Sequence, residues 1–149
     1  MAEFFGLETS KDHLQKLERE YAHLQEDPGD VDTALSFFVT AAHLAEWVKD
    51  VQCKKLLLNQ ELIVQICDEL ANRGKHGASE RKKPAVLDTE YDSYCDRDVF
   101  EASLEVTLTL EAAQTLGIEG QKTDVLTITT RVLDFWRAHP AFKGGDAAT

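Results

Sequence analysis

Apolar residues recur at helical spacing in four segments of the chain and at strand spacing in one. From about Thr9 to Gln25, Leu14, Leu17, Tyr21 and Leu24 fall three and four residues apart, as on one helix face. Thr9 with Asp12 has the form of a capping box. Pro28-Gly29-Asp30 then breaks the chain, and Asp30 stands where it can cap the next helix. That helix, over residues 31–51, is apolar nearly all round, so it is expected at the centre of the fold. Ser36, Thr40 and His43 leave a narrow polar stripe along it.

A third helix is predicted over residues 56–73. Leu58, Leu62, Ile63, Ile66 and Leu70 form its buried stripe, and Gln65, Asp68, Glu69 and Asn72 its polar side. Gly74 either ends this helix or is carried for one more turn, and only the second outcome sets His76 one turn beyond Asn72. Periodicity is lost between Gly77 and Val99. Leu104, Val106, Leu108 and Leu110 then alternate with Glu105, Thr107 and Thr109, the pattern of a half-buried strand near 103–110. Its expected mate is 84–88. Gly117 and Gly120 mark a turn, and a last helix is predicted over residues 122–139. Its β-branched opening, Val125 to Thr130, also suits a strand.

The pattern predicts a mainly α protein, an antiparallel four-helix bundle with a small β-hairpin excursion before the last helix. One domain is expected over 1–142, with a flexible tail at 143–149. Phe38, Ala42, Ile66, Val132 and Trp136 are expected in the core. Trp47, Phe135 and Trp136 read as core aromatics rather than as a ligand cage.

Composition narrows the function. The chain has 149 residues and a net charge of -11, which opposes broad binding to nucleic acid or to an anionic membrane. No apolar run is long enough to span a membrane, and the acidic N-terminus does not resemble a signal peptide. Cys53, Cys67 and Cys95 lack the close pairing of a zinc or redox motif, so buried or free thiols in a reducing cytoplasm are expected. No P-loop, Rossmann glycine pattern, H-E-x-x-H or G-x-S-x-G is present, and no cofactor is expected. His43 and Glu46 lie three apart on the second helix, but the further ligands of a di-metal bundle cannot be assembled. No metal is expected.

The candidate site is Asn72, Arg73, Lys75 and His76, with His43 as a supporting residue from the second helix. A His one turn from an Asn can hold a phosphate oxygen or carry a proton. Arg73, Lys75, Arg81, Lys82 and Lys83 gather five of the sixteen Lys and Arg residues within eleven positions. The alternative reading is structural: Asn72 and His76 simply cap the helix end, where a cation suits the dipole.

The runs His43-Leu44-Ala45-Glu46-Trp47, Leu70-Ala71-Asn72-Arg73-Gly74-Lys75-His76 and Phe135-Trp136 resemble an H-L-x-x-W, L-A-N-x-x-K-H and F-W pattern shared by a group of uncharacterised bacterial proteins. More distantly, a polar residue and a His near the end of a third helix resemble the HEPN superfamily. That resemblance implies a helical bundle, often dimeric, found among metal-independent RNases and in toxin–antitoxin, stress and phage-defence systems. Its signature is an Arg separated from a His by four to six residues. Asn72 and His76 match the polar residue and the His, but the Arg positions hold Glu69, Leu70 and Ala71. What the resemblance implies is therefore RNA or nucleotide binding, as a homodimer, without the usual RNase reaction. The alternative function is an acidic protein-interaction or structural module that binds a basic partner. It rests on the net charge and on Asp88, Glu90, Asp92, Asp96, Asp98 and Glu101.

Overall fold

The computed structural model describes residues 9–47, 61–76, 84–96, 99–139 and 142. Helix α1 (Ser10–Glu26) starts at the expected capping box. The Thr9 hydroxyl accepts from the Asp12 amide at 3.2 Å, and the Asp12 carboxylate accepts from the Thr9 amide at 3.0 Å. Leu14, Leu17 and Leu24 are buried, and the Tyr21 hydroxyl reaches Thr130 at 2.8 Å.

Asp30 caps α2 (Val31–Trp47) by accepting from the amides of Asp32 and Thr33 and from the Thr33 hydroxyl. Phe37, Phe38, Ala41, Ala42, Leu44 and Ala45 of α2 are buried. Full burial of side chains the size of Phe37 and Leu44 contributes about 1.5–3 kcal/mol each. Among the described residues the helix packs against α1, α3 (Leu62–His76) and α5 (Val125–Ala138), as a helix apolar all round must. Helices α1 and α3 also pack on α5. The expected start of the third helix, at residues 56–60, and the end of the second, at 48–51, lie outside the described residues, as does the tail at 143–149.

Between α3 and α5 lies a small antiparallel sheet in the order β1 (Val86–Asp96), β2 (Val99–Leu108), β3 (Lys122–Asp124). The expected hairpin is therefore present, but its first strand runs to Asp96 rather than stopping at Asp88. Val86 pairs with Leu108 and Asp88 with Thr107, with a bulge that sets Leu87 aside. Leu110 leaves the predicted strand. Thr109 accepts from the Ala112 amide at 3.1 Å and opens a short helix, α4 (Leu110–Thr115). Residues 122–124 are strand, not helix. The Asp124 carboxylate accepts from the Thr127 amide at 2.9 Å, so the last helix starts at Val125. The β-branched opening of that helix is helical, and Val125, Ile128 and Thr129 are buried within it.

The five residues expected in the core are all buried: Phe38 and Ala42 are 4% and 6% exposed, and Ile66, Val132 and Trp136 are fully enclosed. The architecture is mainly helical with a small three-stranded antiparallel sheet. No helix among the described residues is long and apolar enough to cross a membrane.

Candidate functional site

Helix α3 continues through Gly74 to His76, so Asn72 and His76 stand one turn apart on one helix. The helix is held to the sheet by two of its own residues. The Glu69 carboxylate is buried and accepts from the amides of Ala85 (3.0 Å) and Val86 (3.1 Å) and from the Gln65 side-chain amide (2.8 Å). The Arg73 guanidinium donates to the carbonyls of Val86 (3.3 Å) and Leu87 (2.9 Å). Asn72 is exposed and donates to the Asp68 carboxylate at 3.3 Å, one turn back. The side chains of Lys75 and His76, and residues 77–83 with Arg81, Lys82 and Lys83, lie outside the described residues.

Arg73 lines a cavity of about 300 Å³ between the first turns of α2, the end of α3, the β1–β2 hairpin and the start of α5. Its walls are largely apolar: Ala34, Leu35, Phe38, Leu70, Leu104 and Val106 contribute to it. Val31 and Tyr91 also line it, and each leaves about half its surface in solvent, at 51% and 53% exposure. The Nε of Arg73 is buried without a hydrogen-bond partner among the described residues. A buried donor left unpaired costs about 1–3 kcal/mol.

His43 does not join this cleft. The end of α3, at Leu70 and Arg73, meets the first turns of α2, where Val31, Ala34 and Phe38 line the same cavity. His43 lies nine residues beyond Ala34, about 13 Å further along the helix axis. It is exposed and lines a second groove, with His13 and Lys16 of α1. Among the described residues the polar stripe of α2, His43 with it, is thus matched by α1. Lys16 Nζ donates to Thr40 at 2.7 Å, and the Ser36 hydroxyl donates to Glu20. A signal for this was present, since His13, Lys16 and Glu20 fall at i, i+3 and i+7 on α1, a stripe of the same pitch.

Glu69, expected on the polar side of its helix, is buried instead: it follows Ile66 by three residues and precedes Leu70, on the buried stripe. Its carboxylate is inside because the first residues of the sheet need an acceptor there. Cys67 is buried, and burial together with Asp68 pushes its thiol far above the usual range, so it is a packing residue. Among the described residues no three His, Cys, Asp or Glu side chains converge as metal ligands. The side chains of Glu46 and Trp47 lie outside the described residues.

The two faces of the hairpin differ. Thr89, Tyr91, Leu104 and Val106 line the cleft, and Glu90 and Glu105, which alternate with them along the strands, contribute to its edge as well, while Asp88 and Thr107 do not. Glu90 stands directly opposite Glu105, and Lys122 of β3 reaches both carboxylates, at 2.8 and 3.8 Å. Comparison of the chain with protein-family models, with curated proteins and with solved structures gives no match.

Proposed function

We propose that the chain is a binding module rather than a catalyst, built as an HEPN-like four-helix bundle, whose cleft receives a nucleotide or one nucleotide of a single-stranded RNA. The observation that carries this reading is Arg73, a cation seated in an apolar cleft with Phe38 in its wall and the half-exposed Tyr91 at its mouth. An aromatic ring stacks on a base, and a guanidinium held in place by backbone carbonyls presents its remaining donors to a phosphate oxygen. The volume of about 300 Å³ suits one small ligand. Asn72 is committed to Asp68 and Arg73 lies too close to His76 for the RNase signature, so retention rather than cleavage is the role that fits. Lys75 and His76 continue the same helix end, and in the sequence Arg81, Lys82 and Lys83 follow within seven residues.

Titration of the full chain with adenosine monophosphate and with a short single-stranded RNA, followed by Tyr and Trp fluorescence, tests this. Saturable binding that weakens in both Arg73→Gln and Tyr91→Ala supports the reading. Binding that neither substitution changes, or no saturable binding at all, sinks it.

A second reading is supported by the acidic positions of the hairpin, where Asp88 neighbours Glu90 and Glu105 at the edge of the cleft, on a chain of net charge -11. Two carboxylates directly opposed across a strand pair repel each other. Lys122 bridges the two carboxylates within the chain, and a basic segment of a protein partner would add to that neutralisation, as an acidic interaction module requires. Binding of a lysine-rich peptide that falls with salt and is lost in Glu90→Gln with Glu105→Gln is the outcome this second reading requires.

A further inference from the structure

We infer that the groove between α1 and α2 is a second binding site, one that takes a small phosphate monoester, with Lys16, His13, His43 and Thr40 as its donors. The groove has a volume of about 400 Å³ and is lined by His13, Lys16, Ser36, Thr40 and His43, with Asp32 at one side and the apolar Leu35 and Val39. Three nitrogen-bearing side chains from two helices therefore face one space, in a chain whose 27 Asp and Glu residues outnumber its 16 Lys and Arg.

The cation of the groove is held in place before any ligand arrives. Lys16 Nζ donates to the Thr40 hydroxyl at 2.7 Å and pairs with a Glu20 oxygen at 3.1 Å. An ammonium has three donors, so one N–H remains to point at a ligand. The other Glu20 oxygen accepts from Ser36, which keeps that carboxylate turned to its own partners. Thr40 is buried and accepts from Lys16, so its own hydroxyl proton is available to a phosphate oxygen.

The groups acting on the His13 ring are Lys16 and His43, which oppose its protonation, and Asp12, which favours it, while burial lowers its pKa most of all. A phosphate between the two imidazoles and the ammonium would reverse that repulsion. The groove exceeds a phosphate group in size, and Leu35 and Val39 offer apolar surface to an organic body, which points to a monoester rather than the free ion. Glu20 and Asp32 nearby keep the site from drawing a polyanion.

The test follows the Cε1–H resonances of His13 and His43 by NMR, at constant ionic strength, in three arms: phenyl phosphate, inorganic phosphate and sodium chloride. Saturable shifts with phenyl phosphate, a rise of about one unit in the pKa of both histidines and a weaker response to inorganic phosphate are expected. His43→Asn, at an exposed position, should keep the fold and weaken binding about tenfold, and Lys16→Met should abolish it. Thr40→Val supplies a second reading if Lys16→Met does not fold. In Arg73→Gln the phenyl phosphate shifts of His13 and His43 should persist whatever happens in the other cleft; their loss would place the phosphate there and overturn the assignment. The proposal is equally overturned if sodium chloride produces the same shifts, if inorganic phosphate binds as well as the ester, or if His43→Asn leaves the titration unchanged.

Discussion

The buried carboxylate of Glu69 accepts the backbone amide of Ala85 at 3.0 Å through both of its oxygens, and this joins the third helix to the first strand of the sheet. The adjacent Val86 amide donates to the same carboxylate, so two strand-opening N–H groups depend on one side chain. Replacing Glu69 with Ala leaves both amides buried without an acceptor and should cost about 2–4 kcal/mol. Glu69→Gln keeps one acceptor oxygen and turns an N–H₂ toward donors, so an intermediate loss is expected. Urea denaturation of both variants measures this; a loss below about 0.5 kcal/mol in Glu69→Ala would show that water replaces the carboxylate at no cost.

Trp136 is fully enclosed, yet its indole N–H has no hydrogen-bond partner among the described residues. Truncation to Ala should cost about 3–5 kcal/mol, and Phe38→Ala a similar amount. Trp136→Phe differs, because it removes the unpaired donor while opening a small gap. The two effects offset, and the net change should stay within about 1.5 kcal/mol. Equal losses in Trp136→Phe and Trp136→Ala would mean that the indole N–H is satisfied in solution.

These sites also show what the residue pattern could and could not disclose. The all-round apolar face of α2 announced a central helix, and α2 does pack on α1, α3 and α5. The capping residues Thr9 and Asp30 were legible because capping is a local interaction, settled within three residues. Strand β1 was not, because Asp88, Glu90 and Asp92 alternate with Thr89, Tyr91 and Ser93, giving no apolar period to detect. Lys122–Asp124 is three residues long and exists only because β2 offers it an edge. Of the candidate site, the helical spacing of Asn72 and His76 could be read from sequence. That Arg73 faces a cleft and His43 another groove could not, since both depend on how the helices are offset along their axes.

Two histidines should give the protein an acid-sensitive stability. Burial lowers the pKa of His13, with Lys16 and His43 adding to it against Asp12, and burial lowers that of His139, against Glu61. Unfolded, each protonates near its ordinary value of about 6.5. Folded, each stays neutral to lower pH, so the unfolded chain binds more protons in that window. Stability is therefore expected to fall as pH drops below about 6.5 and through the folded values, and to be insensitive to these groups above it. Thermal midpoints measured from about pH 8 to about pH 5 should show this slope, reduced in a His13→Asn, His139→Gln double variant. An unchanged slope in the double variant would assign the acid sensitivity to other groups.

Gly29 was legible as a turn residue, but its structural requirement is space. A Cβ built there would lie 2.4 Å from the Cβ of Ala102 and 3.0 Å from that residue's carbonyl carbon and oxygen. The turn joining α1 to α2 thus rests against β2, and the approach admits no side chain. Gly29→Ala must push the turn and the hairpin apart, which should cost about 1–3 kcal/mol. The partner variant separates this from a simple turn effect. Ala102→Gly removes the closer of the contacts, so the Gly29→Ala, Ala102→Gly double variant should recover part of the loss, the remainder coming from the Ala102 backbone and from glycine in a strand. Denaturation of the four proteins in a double-mutant cycle gives the coupling directly. A coupling of zero would mean that the turn and the hairpin are not in contact in solution.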